Sequence, residues 1–534
     1  MASNVTPLQH QTFVVTTPLY YVNDVPHMGS AYTTIAADVI ARFNQLKGHD
    51  TLSITGTDEH GQKIQRTAEA AGRDPQVHCD EIAEKFADLW QRLNIQYHRF
   101  SRTTSPRHEA IVTEFFQRVW DNGDIYLGQQ KGFYCVACEE FKEERDLLDD
   151  HHCPLHPNRK AEWRDEQNYF FRLSNYQSKL ETLYETRPDF IQPSIRRNEV
   201  LSFVARGLQD FSISRVNLDW GFPVPTDPSH TLYVWFDALL GYVTALLDPD
   251  DEPTLDNALK HWWPINLHLI GKDILRFHAV YWPAMLMSAG LPLPGRVFGH
   301  GFLTKDGQKM GKSLGNVLDP VALTETYGSE AIRYYFMKEI ELGRDGDFSE
   351  VRFINILNAD LANDLGNLLN RTLGMARKYC NSLVPIVDAS TIPSSNILKA
   401  NGSTLGEEVS TAYQNLGFSH ASNRILALVK AANKYLDDEA PWSLYKQGEQ
   451  EAVDIIIYSV LESVRLSAYF LSPIIPGLST KIYQQLGFDT DFDVLEPVAQ
   501  LLPFAQQSQW GILPTGQVLR SAKPIFQKLE LPEQ

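Results

Sequence analysis

Phe13-Val-Val-Thr-Thr-Pro-Leu-Tyr-Tyr-Val-Asn-Asp-Val-Pro-His-Met-Gly-Ser30 is the stretch on which the fold turns. Phe13–Thr17 is apolar and β-branched and stops at Pro18, the pattern of a buried strand. A turn follows, and then Ile35, Val39, Ile40 and Phe43 recur at helical spacing over Ala31–Leu46. Thr51–Thr55 reads as a second strand and 61–71 as a second helix. Strand, helix, strand, helix at these lengths predicts a doubly wound parallel sheet of Rossmann type. The turn that ends in His27, Gly29 and Ser30 then lies at the carboxyl edge of the sheet, where ligands bind. Gly29 permits close approach of a phosphate, and the helix start aims N–H groups at it. His27 adds a donor; a histidine that only caps the helix would read the same way.

The regular alternation holds for residues 1–116. From 117 to 228 cysteines, glycines and charge runs replace it, so that span reads as an insertion. Sheet character returns with Thr231–Trp235 and Leu267–Ile270, giving a second half of the sheet over 229–304. A loop and linker region occupies 305–362, and 363–534 is helical, with Ile425, Leu428, Val429, Ala432, Tyr435 and Leu436 on one stripe. The chain has 534 residues, 43% hydrophobic and 21% charged, enough for several cored domains and unlike a disordered chain. Its net charge is −18, so any nucleic-acid role must rest on local patches. Five cysteines fit a reducing compartment. No secretory leader and no bilayer-spanning run is visible, and the expected location is the cytosol.

The loop Gly307-Gln-Lys-Met-Gly-Lys-Ser-Leu-Gly-Asn316 sets Lys309 and Lys312 among three glycines. Alone it would be a solvated loop. Paired with the His27 turn, it could bring positive charge to a nucleotide undergoing transfer. Cys135-Val-Ala-Cys138 and Cys153-Pro-Leu-His156 form C-x2-C-x14-C-x2-H, the spacing of a structural zinc site, although His151 or His152 could compete for the fourth place.

These motifs resemble a known family. His27-Met-Gly-Ser30 is similar to the HIGH signature of class I aminoacyl-tRNA synthetases, with Ser30 in place of the second histidine. Lys309-Met-Gly-Lys-Ser313 is similar to their KMSKS loop, with Gly311 in place of the first serine. Pro18–Ser30, Thr55-Gly-Thr-Asp-Glu-His-Gly61, Val234-Trp-Phe-Asp-Ala238 and Ile270-Gly-Lys-Asp-Ile274 resemble the methionyl-tRNA synthetases, nearly end to end. The resemblance implies ATP binding by His27, Gly29, Ser30, Lys309, Lys312 and Ser313, with His27, Lys309 and Lys312 catalytic. It implies a methionine pocket of Leu19, Tyr21, Asp58, Arg215, Trp235, Ala238, Leu239, Tyr242, Ile274 and His278, Asp58 holding the ammonium group and Arg215 near the carboxylate. It implies one structural zinc in a knuckle within the insertion, magnesium accompanying ATP, and an α-helical anticodon-binding bundle reading tRNA(Met), the initiator included, through Asn367, Arg371 and Trp510. Trp442, in Pro441-Trp442, is assigned to packing. A monomer is expected, since no appended dimerising domain is seen. The expected reaction joins methionine to ATP as methionyl-adenylate and passes the methionyl group to the 3′ end of tRNA. Rivals are another class I synthetase, a small nucleotidylyl transferase and a non-catalytic tRNA-binding module. The insertion is too small for an editing domain, and the transferase would not need the helical tail.

Overall fold

The structure, a computed structural model, describes residues 11–154, 156–310, 316–493 and 503–531. Thr12–Thr16 pairs in parallel on both sides, with Asp50–Asp58 in register Thr12↔Asp50 to Thr16↔Ile54, and with Leu267–Gly271 through Val15↔Leu267. The sheet continues from Leu267–Gly271 to Arg296–His300 and Ile191–Gln192. On the other side, Tyr20–Tyr21 and Arg99–Arg102 both pair with Asp50–Asp58. All these pairings are parallel, so both faces need covering and the strand cores are apolar. Thr12–Thr16 therefore sits at the point where the winding of the sheet reverses, which opens a crevice at the carboxyl ends.

The insertion is antiparallel. Ile125–Cys135 pairs with Glu162–Phe171 and Glu140–Lys142, and the small ribbon His152–Cys153 with His156–Lys160 closes the cysteine cluster. Two sequence boundaries shift. The break at 116/117 falls inside the helix Pro106–Asp121, and the strands of the insertion begin at Ile125. The break at 362/363 falls inside a continuous helical rod, Glu350–Leu357, a π-wound stretch Asn358–Gly366, and Asn367–Tyr379. Thr231–Trp235 is not a strand of the parallel sheet. Asp227–Leu232 belongs to a separate antiparallel sheet, and Val234–Ala238 is a short helix, too brief to show a period.

Past the rod, the helices Ile397–Gln414, Phe418–Glu439 and Gln450–Leu471 form a bundle. Its core is continuous with that of the sheet; Phe43 stacks on Tyr413 at 4.6 Å. Arg333, fully buried, joins the units. Its guanidinium donates to Asp38 at 2.5 Å and to the carbonyls of Asn94, Pro473 and Ile474 at 2.8–3.1 Å. No helix among the described residues is long and apolar enough to cross a membrane.

Candidate active site

Four parallel strands end at one cavity of about 470 Å³. The first supplies Pro18–Tyr21 just beyond its end, and the others end in Asp58, Gly271 and His300, all of which line it. His27, Gly29 and Ser30 form another wall. His27 is the N-cap of the helix Met28–Leu46. Its Nδ1 accepts from the N–H groups of Gly29 (3.0 Å) and Ser30 (3.4 Å), while Ser30 Oγ accepts from His27 N–H at 3.1 Å. This is a reciprocal capping box. The capping reading of His27 holds, and the same residue lines the cavity; with Nδ1 accepting, the neutral ring carries its proton on Nε2. Ser30, the departure from the HIGH pattern, closes the cap.

His300 continues into Gly301, Phe302 and Leu303, also on the cavity wall, and then into the hairpin Leu303–Lys305 with Gln308–Lys309. Asp306 and Gly307 turn it with φ of 50° and 74°, the left-handed pair that a two-residue hairpin favours. The strand bearing Lys309 therefore springs from the edge of the cavity that His27 lines. Lys312 and Ser313 lie outside the described residues.

The floor is apolar and aromatic. Leu19, Tyr21, Trp235 and Ile274 line it, and Trp235 stacks on Phe277 with ring centroids 3.8 Å apart. Tyr242 and His278 stand one layer behind. The Tyr242 hydroxyl donates to His278 Nε2 at 2.8 Å, and His278 Nδ1 donates to the Ile274 carbonyl at 3.1 Å. Burial lowers the His278 pKa to about 4, which keeps the ring neutral for this role. Ala238 and Leu239 are buried beyond Trp235 and do not line the cavity. Arg215 does not line it either. Its guanidinium donates to Ser212 Oγ at 2.6 Å and to the Ser214 carbonyl at 2.7 Å, lies over the Tyr233 ring, and borders a separate groove of about 520 Å³.

Asp58 stands out electrostatically. It is 5% exposed, and its Oδ1 has no hydrogen-bond partner. Burial first, then the nearby Asp237, Glu139 and Glu59 carboxylates, push its pKa well above the usual carboxylate range, against one backbone N–H from His60. Asp58 lines the cavity, and a buried carboxylate oxygen without a partner is costly unless a cation meets it.

Sequence reading missed Glu139 and His300, and touched Asp273, a third residue of the wall, only as part of the Ile270–Ile274 motif. Glu139 accepts from Tyr21 Oη at 2.7 Å and from Lys63 N–H at 3.0 Å, which ties the insertion to the floor. His300 Nε2 meets Thr33 Oγ1 at 2.6 Å. The only sequence signal for it was the apolar run before His300-Gly301, a strand end just upstream of the lysine loop.

Beside Glu139 the side chains of Cys135, Cys138, Cys153 and His156 converge, with all ligand atoms within 4.8 Å of one another. Cys138 Sγ is 3.5 Å from Cys153 Sγ and 3.3 Å from His156 Nδ1. Four-coordinate zinc with Zn–S near 2.3 Å requires S···S separations of roughly 3.8 Å, so the donors fit a tetrahedral ion. His151 stacks on Phe133 at 4.1 Å and His152 Nδ1 meets the Asp149 carbonyl at 3.0 Å, so the histidine that converges with the three thiols is His156. Cys138 and His156 also line the cavity at the strand ends.

The family model for "tRNA synthetases class I (M)" matches residues 13–159 and 146–373, and that for the "anticodon binding domain of methionyl tRNA ligase" matches 389–533. A methionine–tRNA ligase of Synechocystis sp. is 71% identical over 98% of both chains, and one of Nostoc sp. is 68% identical over 97% of this chain and 98% of its own. The chain belongs to the methionyl-tRNA synthetase family. A Mycobacterium tuberculosis methionyl-tRNA synthetase in complex with methionyl-adenylate superposes with a TM-score of 0.89 at 40% identity, covering 97% of this chain and 99% of that one. The apo form of the M. tuberculosis synthetase gives 0.84 at 37% identity, covering 98% and 100%.

In the helical half of this synthetase, Asn367 is exposed and Arg371, one turn on, bridges Asp437 at 2.5 Å. Trp510 is half-buried. Its ring presses on Gly402 so closely that a Cβ there would collide with it, and its Nε1 is buried without a partner. Trp442 is instead 36% exposed, on a helix whose Tyr445 contacts Tyr379 at the end of the Asn367–Tyr379 helix. Trp442 is thus the more exposed of the two indoles and Trp510 the one packed against a neighbour, because Gly402 makes a slot that sequence spacing does not reveal.

Proposed function

We propose that this synthetase binds L-methionine with its ammonium group on Asp58 and its thioether among Leu19, Tyr21, Trp235 and Ile274, and ATP along the wall of His27, Gly29 and Ser30. The observation that carries this reading is the unpartnered Asp58 oxygen at the base of an aromatic cavity. A cation completes it, and an α-amino acid with an apolar, polarizable side chain supplies both halves of the match. The methionine carboxylate attacks the α-phosphorus of ATP. A carboxylate oxygen–phosphorus bond forms, the bond to the bridging oxygen breaks, and pyrophosphate leaves with its electron pair. No nucleophile from the protein is needed. His27 Nε2–H and the lysines of the 309–312 loop oppose the charge that builds on the phosphates, the kind of fixed electrostatic help that is worth most in a closed site. Magnesium bound to ATP would share that charge. The methionyl group then passes to the 3′ end of tRNA(Met), the initiator included.

Cys135, Cys138, Cys153 and His156 would hold one zinc. The four protein ligands leave no open position, so its role is structural, steadying the wall that contains Glu139. Asn367, Arg371 and the exposed Trp442 are the better set for unpaired anticodon bases, with Trp510 as the packing that supports them. The synthetase works as a cytoplasmic monomer, which light scattering of the purified chain checks.

Amino-acid-dependent ATP–pyrophosphate exchange tests the reading. Exchange with methionine alone is expected. Exchange with isoleucine and not methionine would point to another class I synthetase, and none with any amino acid to a binding module.

A further inference from the structure

Behind the methionine floor lies a buried group that the reaction above does not use. Asp237 is fully buried within the short helix Val234–Ala238. Its two oxygens meet two rings: Oδ2 meets His60 Nδ1 at 2.5 Å and Oδ1 meets His108 Nε2 at 2.6 Å. The two imidazoles hold the Asp237 carboxyl down to about 2, so it stays ionised and accepts both N–H groups. His108 is fully buried and His60 nearly so. Such a dry ionic cluster is seldom repaid in stability compared with apolar packing, which directs attention to what it holds in place.

It is not built for covalent chemistry. The hydroxyl beside it, Thr244 Oγ1, is 2.8 Å from His108 Nδ1 and donates to the Leu240 carbonyl, and none of Asp237, His60 and His108 lines the cavity. It does join three segments that surround the methionine end. His60 stands two residues beyond Asp58, on the extension of the strand that ends there, so a shift of its ring moves the backbone that carries the carboxylate. Its ring is wedged edge-on against Phe222 at 4.6 Å and Trp220 at 5.7 Å. Asp237 lies two residues after Trp235, whose ring lines the cavity on its stack with Phe277. His108 anchors both to the helix Pro106–Asp121.

We infer that Asp237 is a positioning residue for the amino-acid end of the site, which, through His60 and through the Trp235 turn, aligns the free Asp58 oxygen with the aromatic wall so that an α-ammonium group and its side chain are received together. The inference rests on the proposed assignment of Asp58 to the ammonium group. It requires Asp237 to act on methionine and not on ATP, because nothing in the cluster reaches the His27 and Gly29 wall. Small misplacements of a binding group can cost up to about 10²-fold.

The test is pyrophosphate exchange with methionine and ATP varied separately. Asp237→Asn is expected to raise the methionine KM by about tenfold or more and to leave the ATP KM within about twofold. In an Asp58→Asn background the same change should add less than about twofold, because the two act as one unit. His60→Asn, whose amide N–H can stand in for Nδ1–H, should stay close to the wild type, while His60→Leu should behave like Asp237→Asn. If Asp237→Asn does not fold, the His60 pair decides alone. Methionine and ATP KM rising together, a multiplicative effect in the Asp58→Asn background, or His60→Leu equal to His60→Asn would overturn the inference. A wild type that exchanges no methionine, or an Asp58→Asn variant that binds it normally, would instead strike the functional assignment beneath it.

Discussion

Replacing Asp58 with asparagine keeps the shape of the side chain and its acceptor for the His60 N–H, and removes only the charge. Two effects of opposite sign should follow. Removing one member of a buried ion pair costs about 3–5 kcal/mol, so methionine should bind weaker by about two to three and a half powers of ten. Without substrate the charge is a burden, since Oδ1 is buried and unpartnered among Asp237, Glu139 and Glu59. Neutralising it should stabilise the free enzyme by about 1–3 kcal/mol. The pH dependence has a fixed sign. The native pKa of Asp58 is raised, so the wild type pays no penalty below the unfolded carboxyl value near 3.9 and loses stability as pH climbs toward the native value. The stability gap between variant and wild type should therefore be absent in acid, open as pH rises and then level off. Exchange kinetics give the methionine KM, and denaturant melts between pH 3.5 and 8 give the gap. As a control, the acid analogue of methionine that lacks the amino group should bind both proteins equally. A variant that is less stable than the wild type at pH 7.5, or that keeps its methionine KM within about threefold, would refute the assignment.

Further perturbations probe the other parts. Lys312→Ala should lower the rate of adenylate formation by ~10-fold or more with little change in methionine affinity, measured by rapid quench; unchanged kinetics would remove the loop from the mechanism. Trp442→Ala should retain pyrophosphate exchange and lose about 5–150-fold in tRNA charging, the scale of one stacked base, and normal charging would sink that role. Trp510→Ala should act through the fold, costing about 3–5 kcal/mol and lowering the melting of the helical half, with Gly402→Ala doing similar damage by displacing the ring. Cys153→Ser should abolish the bound zinc, read by elemental analysis, and weaken methionine binding through the Glu139 to Tyr21 hydrogen bond; full zinc content would show that Cys153 is not a ligand.

The parallel core was legible because Phe13–Thr17 and Leu267–Ile270 are uninterrupted apolar runs, and the convergence of Cys135, Cys138, Cys153 and His156 because cysteine spacing is a local property. The Thr231–Trp235 run misled, since a β-branched and aromatic sequence at the end of an antiparallel ribbon has the composition of a core strand. The breaks at 116/117 and 362/363 were misplaced because no glycine or proline marks them and the helices run through. Glu139 and His300 were invisible for a different reason. Each belongs to a different segment, and only the convergence of strand ends and insertion puts them on one wall. Arg215 entered the methionine pocket only through the family resemblance, and the fold sets its guanidinium beside Tyr233 on a neighbouring groove, a placement no local pattern announces.

Arg333 limits how this synthetase can be taken apart. Its guanidinium draws on Asp38 in the nucleotide fold and on two carbonyls at 473–474, more than a hundred residues later. An amino-terminal fragment cut ahead of Pro473 would strip a charged group of partners in a place water does not reach, and each lost bond to such a group costs about 1.5–3 kcal/mol. Chimeras that exchange anticodon modules between relatives should therefore keep the Pro473–Ile474 turn with the recipient, or inherit a tertiary knot with one strand missing.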